Sequence, residues 1–168
     1  MGRFHIDAAE LCWIDGSADN ADDLCLHGHA IVHIENERLE FDATVSATAL
    51  YLLKTLTEDH MLHEDLQMLP CCGHFFIPDE HLENVTICGC NEGIDWTVKH
   101  HGKDVVLILE SGAETTIPLE EYKREVYRFA DKIEDYYRRC SPKNESGDEF
   151  ERNGYTAFWN EWHRRRNA

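Results

Sequence analysis

The chain has 168 residues, of which 42% are hydrophobic and 10% aromatic, enough apolar material to offset the conformational entropy of folding and to exclude wholesale disorder. Acidic residues outnumber basic ones 33 to 16, for a formal net charge of -17. A surface of that sign repels nucleic acid and anionic lipid and steers basic proteins toward itself.

The first residues, MGRFHIDAAELCWIDG, hold no apolar stretch of signal-peptide length, and no run approaches the ~20 apolar residues of a membrane span. Ile6 stands where a myristoylation signal carries Ser or Thr. A cytoplasmic protein is expected, with neither membrane nor nucleic acid among its partners. Its seven cysteines are odd in number and irregularly spaced, which in that setting points to reduced thiols or metal ligands rather than a disulfide framework.

Residues 3–14 read as an edge strand, and residues 15–23 (DGSADNADD) break it with small, polar, turn-forming side chains. Alternation follows over residues 24–34 and 38–46, with Ala30, Val32 and Ile34 on one face and Leu39, Phe41, Ala43 and Val45 on another. The short Glu35-Asn36-Glu37 link makes these a hairpin. Helical spacing then runs from Ser46, expected as the N-cap, through Ala49, Leu50, Leu53 and Leu56.

Beyond Pro70, residues 74–77, 85–90, 94–100, 105–110 and 115–117 read as strands joined by glycine-bearing turns, an antiparallel meander. After Pro118, the residues Leu119, Tyr122, Val126, Phe129, Ile133 and Tyr136 step by three and four and form one apolar stripe of a long helix that should cover the sheet. Residues 141–148 interrupt it as a linker. Tyr155, Phe158, Trp159 and Trp162 then mark a last helix that ends in three arginines, placed to serve the helix dipole and to pair with the acidic body.

The fold class that results is α+β, one acidic domain over residues 1–168. It is expected to hold a mainly antiparallel sheet of about seven strands, hairpin plus meander, with one early short helix and two C-terminal helices packed on it.

Two Cys/His groups have ligand spacing. In extended chain, residues two apart share a face, so Cys72 with His74 and Cys88 with Cys90 each make a two-ligand arm, together a tetrahedral Cys3His site for zinc. The single intervening residue is shorter than the usual zinc-ribbon spacing, and cysteines on strands also serve as small buried hydrophobes. Cys25, His27 and His29 alternate in the same way, where the ordinary reading is a wet outer face.

No nucleophile elbow, P-loop, dinucleotide glycine fingerprint or paired-histidine zinc helix is present, so catalysis has no motif to motivate it and is uncertain. The aspartates of the first loop, Asp19, Asp22 and Asp23, together with Asp95, which lies beside the hairpin turn on the strand face opposite Trp96, are the expected contacts for a basic partner. The leading expectation is a non-catalytic, immunity-type or inhibitor protein that engages a basic protein through acidic residues. The rival is a small zinc protein, structural or hydrolytic, built on Cys72, His74, Cys88 and Cys90, with zinc as the one cofactor the sequence suggests.

Overall fold

Alternation builds the first sheet as expected. The computed structural model, which describes residues 2–64, 66–73 and 75–168, places strands β1 (Phe4–Cys12), β2 (His27–Ile34) and β3 (Glu37–Ala43) in the order β1-β2-β3. Phe4 faces Ile34, Ile6 faces Val32 and Ala8 faces Ala30, so each strand commits its apolar period-two face to the same buried side. A register shift between Ala9 and Cys12, with Glu10 at φ 53°, releases the chain from the ladder into the loop that follows.

Helix α1 (Val45–Lys54) is buried at every position from Val45 to Leu53, which makes it a central helix wrapped by its neighbours rather than one lying on a sheet. Its N-cap is Thr44, not Ser46. Ser46 lies inside the helix, where its Oγ accepts the N–H of Leu26 at 3.1 Å, a long-range bond that spacing alone does not reveal.

The expected single sheet does not form. Strands β4 (Leu69–Pro70), β5 (Phe75–Pro78), β6 (Val85–Cys88), β7 (Gly93–Ile94), β8 (Trp96–His101), β9 (Asp104–Leu109) and β10 (Glu114–Pro118) fall into three further small antiparallel sheets, β10-β9-β8, β4-β7 and β5-β6. The cause is local. Residues 94–100, read as one strand, break at Asp95, so that β7 pairs backward with β4 while β8 joins the meander. Prolines 70 and 78 lie at strand ends, where their missing N–H limits ladder growth.

Helix α2 (Leu119–Arg139) follows Pro118 directly and buries Tyr122, Val126, Phe129, Ala130 and Ile133 against β1, β9, β10 and α1. Helix α3 (Glu149–Arg166) is capped by Asp148, whose side chain accepts the Glu151 N–H at 3.0 Å. It packs on β5 and β6, with Phe158 stacked on Phe76 at 5.0 Å. A Cβ on Gly154 would lie 2.5 Å from the carbonyl oxygen of Phe76, so only glycine permits this approach.

The terminal arginines pair with the acidic body. Arg165 binds Glu161 and Glu58, Arg166 clamps Asp131 through two bonds of 2.6 and 2.9 Å, and Arg164 reaches Glu83 and Asn84. Among the described residues no helix is long and apolar enough to cross a membrane.

Candidate functional sites

The acidic loop is held from two sides. At its root Trp13 is fully buried, donates Nε1–H to the carbonyl of Ala18 at 3.2 Å, and carries the Lys143 ammonium 3.1 Å from its ring centroid. The segment between α2 and α3 then ties the loop down. Asp19 accepts both the N–H and the hydroxyl of Ser141, the latter at 2.7 Å, Asp22 accepts from the Asn144 amide at 2.7 Å, and Lys143 bonds the carbonyl of Asn20.

Asp23 turns inward, where it accepts the N–H groups of Ile14 and Cys25. The Ser141 hydroxyl, and then its N–H, hold the Asp19 carboxyl below the usual aspartate range, and the Ser17 hydroxyl does the same for Asp15. The loop therefore presents fixed negative charge on a fixed backbone. At its start stands Ile14, 74% exposed beside Asp15 and bonded through its N–H to Asp23. Exposure of an isoleucine next to an Asp-Gly turn was within reach of the sequence, but its fixed backbone depends on residues 141–144.

Asp95 lies elsewhere. Its side chain is 8% exposed, and its Oδ1 takes the His60 Nε2 at 2.7 Å and the Met68 N–H at 3.1 Å. It thus orients a histidine and offers little surface to a partner. His60, with Lys54, Glu58, His63, Glu64 and Gln67, lines a polar cleft of about 770 Å³.

The cysteines form a corner where residues 71–72 meet residues 89–92. The Cys71 N–H bonds the Glu92 carbonyl at 2.9 Å, and the Cys90 N–H points at the Cys72 sulfur at 2.9 Å. A Cβ on Gly89 would lie 2.1 Å from the Cys72 carbonyl oxygen, so glycine alone permits the close approach of the two segments. The Cys90 sulfur neighbours the thiols of both Cys71 and Cys72.

The Glu92 N–H, then its sulfur neighbours, lower the Cys90 thiol from its ordinary value, while contact with Cys90 raises that of Cys71. Cys71, which period-two spacing passed over, is thus a member of the group. Cys88 stands on β6 opposite Phe75. His74 lies outside the described residues, and among those described no group of three or more His, Cys, Asp or Glu side chains is placed to hold a metal ion.

The second Cys/His group is spread out. Cys25 is buried, its thiol pushed up to about 12 by desolvation and by the charge of Asp23, whereas His29 bonds Asp42 at 2.7 Å in β3.

An apolar patch of Phe75, Ile77 and Phe150 is also exposed, with the two phenylalanine rings 6.0 Å apart. Comparison of the chain with protein-family models, with curated proteins and with solved structures finds no match.

Proposed function

We propose that the protein is a protein-binding module that engages a basic partner through the loop 14–23, in the manner of an immunity protein or inhibitor. The observation that carries this reading is Ile14, 74% exposed in a loop of four aspartates whose backbone is held by Trp13 and residues 141–144. An exposed apolar side chain on a preorganised loop loses little entropy on binding and gains by desolvation, the properties of an interface anchor. The charges of Asp15, Asp19 and Asp22 in the same loop would speed encounter with a basic surface and select against acidic ones. The net charge of -17 acts in the same direction at longer range.

The test is association of the immobilised protein with a basic protein captured from its source cells, with wild type and an Ile14→Asp variant side by side. Ile14→Asp should bind about tenfold more weakly, and the wild-type association rate should fall steeply with added salt. Capture of no basic protein, or equal binding by the two forms, would overturn the reading.

A further inference from the structure

We propose that Cys90 and Cys72 are a peroxide-reactive pair that closes to a disulfide, with hydrogen peroxide as the oxidant. The argument begins with the backbone. The Cys90 nitrogen lies 2.9 Å from the Cys72 sulfur, and the two segments approach so closely that a Cβ on Gly89 would lie 3.3 Å from that sulfur. This places the pair within the short reach a disulfide requires. Three thiols share the corner; Cys72 is the one whose sulfur takes the Cys90 N–H, and Cys71 and Cys72, adjacent in sequence, bridge only with backbone distortion. Cys72 is therefore the expected partner of Cys90.

Access separates this pair from the Cys25 thiol. Cys90 is exposed and Cys72 half-buried, so a small oxidant reaches them, whereas Cys25 is enclosed in the core. The reaction balances without any other co-reactant. The Cys90 sulfur attacks one oxygen of the peroxide, the O–O bond breaks, and the departing oxygen takes up a proton and leaves as water, so that Cys90 becomes a sulfenic acid. The Cys72 sulfur then attacks the Cys90 sulfur, the S–O bond breaks, and the hydroxyl leaves with the Cys72 proton as a second water. Two thiols are oxidised and one peroxide is reduced to two waters. The bridge spans residues 18 apart in sequence and so staples the base of the β5–β6 hairpin.

The experiment treats reduced, EDTA-washed full-length protein with about one equivalent of hydrogen peroxide, blocks remaining thiols, and maps the peptides by mass. The expected product is a monomer about 2 Da lighter with Cys72 joined to Cys90, formed about tenfold faster than any oxidation at Cys12. Cys71→Ser should keep the bridge, and Cys90→Ser should abolish it. Cys72→Ser should leave a Cys90 sulfenic acid that dimedone traps. A bridge from Cys71 to Cys90, oxidation at Cys12 as fast as at Cys90, or zinc that survives the chelator and blocks the reaction would each overturn the proposal. The wild-type peptide map decides the matter even where a variant fails to fold.

Discussion

Glu161 of α3 accepts the backbone N–H of Val85 of β6 at 2.8 Å with a side chain only 1% exposed, so a buried carboxylate fastens the last helix to the start of β6. Its other oxygen takes Arg165 Nε at 2.8 Å, with the Lys54 ammonium 3.5 Å away. Removal of one member of such a group strands the others in low dielectric. Glu161→Ala should therefore cost about 3 to 5 kcal/mol in urea unfolding. A loss below ~1 kcal/mol would show that the carboxylate is dispensable.

Phe129 is fully buried in the centre of the α2 stripe. Its truncation to Ala removes the ring and leaves a cavity that the surrounding helices and strands fill only in part. The expected destabilisation is about 3 to 5 kcal/mol, read from the shift of the denaturant midpoint at constant slope.

The His29 imidazole has its pKa raised above the ordinary histidine value, first by its hydrogen bond to Asp42 and then by the charges of Asp42, Glu40 and Glu10. A raised histidine favours the fold when protonated. Its contribution is complete below the unfolded pKa and disappears as pH rises through the higher folded value. Nuclear magnetic resonance titration should find the His29 midpoint above 6.5 in the wild type and lower in Asp42→Asn. An unchanged midpoint would remove Asp42 as the cause.

Asp19 works in the opposite sense. Its carboxyl is held below 3.8 by the hydroxyl and N–H of Ser141, so the clamp is present above the unfolded pKa and is lost as pH falls through the folded one. Asp19→Ala should speed hydrogen exchange at the Ser141 N–H by about tenfold while the exchange of α2 is unchanged. Exchange at the wild-type rate would mean that other bonds fasten residues 141–144.

Much of the local structure was legible from period alone. The alternation of Ala30, Val32 and Ile34 set the buried face of β2, and the three-four steps from Tyr122 to Ile133 set that of α2. What period does not carry is the partner of each edge. Asp95 looked like an outward-facing strand residue, but its side chain goes inward to His60, 35 positions away, and that inward turn divides one expected strand in two.

The aspartates of the first loop were likewise visible, whereas the serine that holds Asp19 lies 122 positions away. Cys71 was passed over because same-face spacing selects Cys72 and His74. Its place follows from the pairing of residues 69–71 with 92–94, which no local pattern encodes.

The burial of α1 on every side also bears on the order in which the chain can be made. The helix has ten residues, too few to persist alone in water, and among the elements that cover it are α2 and α3, which leave the ribosome long afterwards. A nascent chain that has reached only β10 holds its most apolar helix covered by β2 and β4 but not yet by the C-terminal helices. Until the C-terminal helices arrive, that helix is a natural handle for a chaperone, and a chain cut short before residue 119 is a natural substrate for proteolysis.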